Sequence, residues 1–142
     1  MATLEEVLER AAQRVEAGWT QWAPARGKPT PYGDVLSCAD PRAERFCASG
    51  AIARASMELV APEMIGFGIG PTAGDARRDQ CALASSSEME GLAAEAVACV
   101  VEVLMREGQP HSLIAWNDWP GRTQAEVVAA LRTAAERSRS MP

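Results

Sequence analysis

The chain has 142 residues, 47% of them hydrophobic and 5% aromatic, and carries a formal charge of −5. That is the length of one domain, enough to bury roughly two-thirds of the surface an unfolded chain exposes. The acidic balance speaks against nucleic acid, whose phosphates need clustered cations, and no apolar run approaches the ~20 residues of a membrane span. Alanine supplies much of the apolar content, and alanine-rich cores come from closely packed helices. Lys28 is the only lysine. The remaining cations are arginines, suited to bidentate carboxylate or phosphate pairing, although GC-rich coding produces the same bias. Residues Met1 to Glu6 lack the basic-then-apolar pattern of a secretion signal, and Cys38, Cys47, Cys81 and Cys99 sit in a chain large enough to need no staples. The expectation is a cytoplasmic protein with reduced thiols.

Helix one opens at a capping box, Thr3-x-x-Glu6, in which the hydroxyl accepts from a free backbone N–H and the carboxylate reaches back. Leu4, Val7, Leu8, Ala11, Ala12 and Val15 follow at helical spacing, and Gly18 is the expected left-handed stop. Residues 19–39 hold Trp19, Trp22, Pro24, Gly27, Pro29, Pro31 and Gly33 and read as a long irregular loop. Its tryptophans either pin the loop to the body of the protein or line a ligand site. Asp40-Pro41 joins a good N-cap to a preorganised first helical residue, so helix two is predicted from Pro41 to about Val60. On it Phe46, Cys47, Gly50 and Ala51 share a face, and the small Gly50-Ala51 patch would admit a neighbouring helix.

Residues 62–84 form a second predicted loop, with glycines at 66, 68, 70 and 74. A phosphate loop fails there: a Walker loop needs lysine after its last glycine, where Asp75 stands, and a dinucleotide fingerprint needs a preceding strand. Helix three begins at Ser85 or Ser87, because Ser85-x-x-Glu88 and Ser87-x-x-Glu90 both fit capping boxes. Its stripe of Met89, Leu92, Ala93, Ala96, Val97, Val100, Val103 and Leu104 makes it the candidate central helix, and Gly108 ends it. His111 to Trp116 is a turn of helix or an extended segment. After the tight turn Asn117-Asp118-Trp119-Pro120-Gly121, a further capping box, Thr123-x-x-Glu126, opens the last helix, with a stripe from Val127 to Ala135. The polar tail 138–142 is expected to fray. The predicted fold is all-α: about four helices packed as a single domain over 1–142, with two long irregular loops where partner contacts are first to be sought.

Three segments resemble a known family. Gly18-Trp19-Thr20-Gln21 resembles its Gly-Trp-x-Gln start of the first loop, Phe46-Cys47-Ala48-Ser49-Gly50-Ala51 its Trp-Cys-x-x-Gly-Ala helix, and Trp116-Asn117-Asp118-Trp119-Pro120-Gly121-Arg122-Thr123 its Trp-Asn-Asp-x-Pro-Gly-Arg-Thr signature. Phe46 stands where the family has tryptophan, and the glycine-rich stretch looks particular to this chain. The family is a domain of unknown function found mostly in actinobacteria and their phages. The resemblance implies a small intracellular accessory protein and implies no activity.

One constellation suggests chemistry. Cys47 is a candidate nucleophile, His111 is the only histidine and so the only conventional base, and Asp118 or Asn117 would orient it. Against this, Cys47 falls about two turns inside predicted helix two, away from the N-terminal dipole, on a face with Phe46 and Ala51. The cysteines are too scattered for a closed metal site, and no metal or cofactor is expected. In the Trp-Asn-Asp turn, Arg122 could pair with Asp118 over Trp116 and so set the angle of the last helix. The rival reading is a recognition surface of Trp119 flanked by Asn117, Asp118 and Arg122. The leading expectation is a non-enzymatic module that binds another protein through Trp119 or the glycine-rich loop. The alternatives are a cysteine-dependent hydrolase or transferase using Cys47 and His111, and a small-molecule binder with a pocket lined by Trp19 and Trp22. Oligomeric state stays open.

Overall fold

The computed structural model describes residues 2–31, 33–66 and 76–140, and the side chains of 76–86 lie outside the description. Helix α1 spans Leu4–Ala17, with Thr3 Oγ1 accepting from Glu6 N at 3.2 Å as its cap. Strands β1 (Ala25–Arg26), β2 (Val35–Leu36) and β3 (Arg45–Phe46) precede α2 (Ala48–Val60), and a short 3₁₀ turn follows at Pro62–Met64. The long α3 covers Ala76–Arg106, the one-turn α4 Leu113–Asn117, and α5 Gln124–Ser140. The molecule is therefore mainly helical but carries a small antiparallel sheet in the order β2-β1-β3.

The sheet is the chief departure from an all-α fold, and it arises where the chain turns instead of starting helix two. Asp40 Oδ1 accepts from Arg42 N at 2.8 Å, and its carbonyl accepts from Ala43 N at 3.1 Å. Asp40 thus caps a local turn, and the backbone leaves it extended into β3, pairing Arg45 with Arg26. Two arginines directly opposite each other repel. Asp34 offsets this by bonding both, at 2.6 Å to Arg26 Nη1 and 2.8 Å to Arg45 Nη2.

Two glycines serve close approach to backbone: Gly18, expected as a left-handed stop, and Gly50, expected to admit a neighbouring helix. Gly18 is extended at φ −174°, and a Cβ there would lie 2.3 Å from the Glu44 carbonyl oxygen. Its carbonyl instead receives Phe46 N at 3.0 Å, docking β3 on the end of α1. At Gly50 a Cβ would lie 2.0 Å from the Pro24 carbonyl oxygen, so the patch admits loop backbone and not a helix. The second loop is also shorter than its composition suggests. α3 starts at Ala76, which places Ser85–Ser87 inside a helix. The stretch 76–84 holds no glycine or proline to stop it. The glycine-rich 67–75 stretch and the side chains of Ser85 and its neighbours lie outside the described residues. α3 closes through Gly108 at φ +74°, with Gln109 N bonded to Leu104 O at 2.9 Å.

The core is apolar and alanine-lined. Val7, Leu8, Ala11, Ala12 and Val15 of α1 are wholly enclosed, and α1 packs on α5, α2, α3 and β3. The hub is thus α1, while α3 leaves Ala93, Val97 and Val101 partly exposed along its stripe. α5 stays helical to Ser140, beyond the predicted fraying point, and Arg139 bonds Glu5 there at 2.7 Å. Among the described residues, no helix is long and apolar enough to cross a membrane.

Candidate functional site

The Trp-Asn-Asp segment and the first loop form one hydrogen-bonded unit. Ser112 caps α4 through Ala115 N at 3.2 Å, which resolves the 111–116 segment as a turn of helix. Leu113, Trp116 and Asn117, spaced i, i+3 and i+4, face inward, leaving Ile114 outward. Asn117 is completely buried and fully used. Its Oδ1 accepts from Trp19 Nε1 at 2.9 Å and from Ala48 N, the unpaired first donor of α2, at 3.0 Å. Its Nδ2 donates to Thr20 O at 3.1 Å and Asp118 Oδ1 at 3.0 Å. Gln21 Nε2 adds bonds to the carbonyls of Asn117 and Trp119 at 2.9 and 3.1 Å.

Arg122 does not reach Asp118. It lies 4.3 Å over the Trp116 ring, donates to Trp116 O at 2.9 Å, and pairs with Glu126 at 3.0 Å. Gly121 makes the turn at φ +86°, and Thr123 and Glu126 bond each other's backbone N–H at 3.2 and 3.0 Å as a closed capping box. The Thr123 amide, then its hydroxyl, hold the Glu126 carboxyl below the usual carboxylate range. Asp118 turns the other way: its Oδ1 accepts from Trp22 N at 2.9 Å.

Trp22 is the anomaly of the region. It sits at φ +66°, a conformation unfavourable for a bulky side chain, and its indole is 71% exposed. Ile114 and Trp119 are 59% and 58% exposed. Trp22 and Ile114 rim an open cleft of about 400 Å³ whose walls include Pro24, Cys47, Ser49 and Asp118. Gln21 holds the Trp119 backbone beside it.

Cys47 is not inside a helix. Because β3 replaces the first predicted turns, Cys47 is the N-cap of α2. Its Sγ accepts from Gly50 N at 3.3 Å and lies 3.3 Å from Ser49 Oγ. The positive end of the α2 dipole therefore points at this thiol. His111 is exposed ahead of Ser112 and is not among the residues lining the cleft. Trp19 is turned inward onto Asn117, and Trp22 alone of the first-loop pair lines the cleft.

Of the expected binding residues, Asn117, Asp118, Arg122 and Trp19 build the frame, and Trp22 and Trp119 face out. Ile114 escaped sequence reasoning, although the inward spacing of Leu113, Trp116 and Asn117 carried the signal. The N-cap position of Cys47 had no local signal, since it depends on β3 pairing with β1. Among the described residues, no group of three or more His, Cys, Asp or Glu side chains is placed to hold a metal ion.

No curated protein and no solved structure matches the chain. A family model described as a family of unknown function, DUF6197, matches residues 1–137. The match takes in the Trp-Asn-Asp segment and the first loop, and the chain belongs to the DUF6197 family of unknown function.

Proposed function

We propose that the chain is a protein-interaction module whose contact surface is Trp22, Ile114 and Trp119 around the Cys47 cleft. The observation that carries this reading is Trp22. The fold holds a tryptophan in a left-handed backbone conformation, fixes it through Asp118, and directs the ring into solvent. Strain of that kind collects where a side chain must be presented. The surface is largely apolar: the Asp118 carboxylate in the cleft wall is turned to Trp22 N and Asn117 Nδ2, and Arg122 folds away over Trp116. With Trp22, Ile114 and Trp119 exposed, it suits an apolar segment of another protein, with the exposed indoles available as hydrogen-bond donors. The reading places the chain in the cytoplasm, as an accessory protein with reduced thiols.

A photo-crosslinking phenylalanine at position 114, introduced in the native host, tests it. The expected result is a discrete protein adduct that Trp22→Ala or Trp119→Ala reduces more than tenfold. Each ring, as a hot spot, is worth about 2 kcal/mol or roughly 30-fold in affinity. The same adducts from a probe at exposed position 136, or adducts indifferent to both tryptophan variants, would sink the proposal.

A second reading, a cysteine-dependent transferase or hydrolase, is favoured by one observation: Cys47 caps α2 in this same cleft. Its base would not be His111, which stands outside the cleft. This reading requires Cys47 to alkylate faster than Cys38 and Cys99 under limiting iodoacetamide. Burial raises the thiol pKa of both Cys38 and Cys99, with Glu102 and Glu95 adding to the effect at Cys99. Slower or equal labelling of Cys47 rejects it.

A further inference from the structure

The arginines whose side chains the structure describes follow a rule with one exception. Arg10, Arg14 and Arg54 meet Glu58; Arg26 and Arg45 meet Asp34; Arg42 meets Asp40. Arg106 meets Glu102, Arg122 meets Glu126, Arg132 meets Glu9 and Glu16, and Arg139 meets Glu5. Among the described side chains, Arg137 alone of the arginines has no carboxylate partner, and its Nη1 is buried without a hydrogen-bond acceptor. A guanidinium without a carboxylate partner calls for a reason. Its place supplies one. Arg137 and Ser140 of α5 face Cys99, Glu102 and Arg106 of α3 across a cleft of about 340 Å³.

We propose that this cleft binds the carboxylate of a small organic acid, with Arg137 as the primary anchor and Arg106 as the second cation. The charges in the cleft are two guanidinium groups and the Glu102 carboxylate, an excess of one positive charge that matches a single carboxylate. Arg106 is available because its pairing with Glu102, at 2.7 Å, is an exposed i,i+4 contact and such contacts are weak. The Nε–Nη2 edge of Arg137, which is neither enclosed nor hydrogen-bonded, matches a carboxylate bidentately. The cleft is wider than a carboxylate needs, leaving room for the organic part of the ligand, with Cys99 as an uncharged wall. The site is separate from the tryptophan surface and independent of the function proposed for it.

The test is titration of the ¹⁵N-labelled full chain with benzoate at constant ionic strength, followed by NMR, with inorganic phosphate as a parallel arm. The expected result is saturable shifts confined to residues 99–106 and 137–140 and to the Arg137 Nε–H. Arg137→Gln should weaken binding at least tenfold, and Arg106→Gln a few-fold. Linear, non-saturating shifts in the unaltered protein overturn the site, as does equal binding by Arg137→Gln. Tighter binding of phosphate than of benzoate overturns the carboxylate assignment.

Discussion

Asn117 has two polar side-chain atoms, and each makes two hydrogen bonds in a place closed to water. Neither aspartate nor alanine can substitute, because the site needs an acceptor facing Trp19 and Ala48 and a donor facing Thr20 and Asp118. Losing these bonds leaves several buried groups unpaired, so Asn117→Ala should cost about 2–4 kcal/mol. On thermal melting that is a fall of roughly 4–16 °C. Trp22 makes the opposite case. Glycine at position 22 would remove the backbone strain at φ +66° and forfeit little burial. Trp22→Gly should therefore stay within about 1 kcal/mol of the unaltered protein, while abolishing the crosslink at position 114. A large loss of stability in Trp22→Gly would mean that the ring supports the fold and is not there for a partner. Asn117 and Trp22 both lie in sequence motifs, yet only burial separates the residue that builds the surface from the residue that is the surface.

Among the elements, α5 is the most self-sufficient. Its capping box, its apolar stripe and its Gly121 turn are all local, and each was legible in the sequence. Thr123→Ala should cost about 1 kcal/mol through the lost cap, measurable by denaturant midpoint. Helix α2 is the contrast. Locally a helix is expected from Pro41, because Asp-Pro is a sound start signal. The structure uses the same dipeptide as a turn, since the extended β3 can pair with β1 and dock on Gly18, contacts 19 or more residues apart in the chain. Gly50 records that docking. Gly50→Ala would improve helix propensity, yet its methyl group would meet the Pro24 carbonyl oxygen at 2.0 Å. The expected result is a loss of about 1–3 kcal/mol with the first loop displaced, visible as altered tryptophan fluorescence. A gain in stability would show that Pro24 does not pack there.

Across the whole molecule, one carboxylate joins the sheet to the first loop. Arg26, besides pairing with Asp34, donates to Thr20 Oγ1 at 2.8 Å and Gln21 O at 3.3 Å, next to the residues that frame Trp22. The hydrogen bonds of Arg26, then Arg45, hold the Asp34 carboxyl below its usual range. A depressed pKa favours the folded state while the group is ionised. The contribution is complete above the ordinary aspartate range near 4 and is lost as pH falls through the lowered value. The melting temperature should therefore drop below about pH 4, and Asp34→Asn should flatten part of that drop while lowering stability at neutral pH. An unchanged acid profile in Asp34→Asn would remove Asp34 from the linkage.

Helix content, the caps of α1 and α5, the glycine end of α3 and the apolar stripes all follow from neighbours within about four residues, so periodicity and capping chemistry suffice to read them. The sheet, the N-cap position of Cys47, the inward turn of Trp19 beside the outward turn of Trp22, and the lack of a carboxylate partner at Arg137 could not be read that way. Each depends on a partner brought close only by packing: Arg26 to Arg45, Trp19 to Asn117, Gly50 to Pro24, and α3 to α5. The Trp-Asn-Asp segment marks the site in the sequence, but its Asn and Asp work inward, and the surface it supports is completed by Trp22 and Ile114 from outside the signature's polar core.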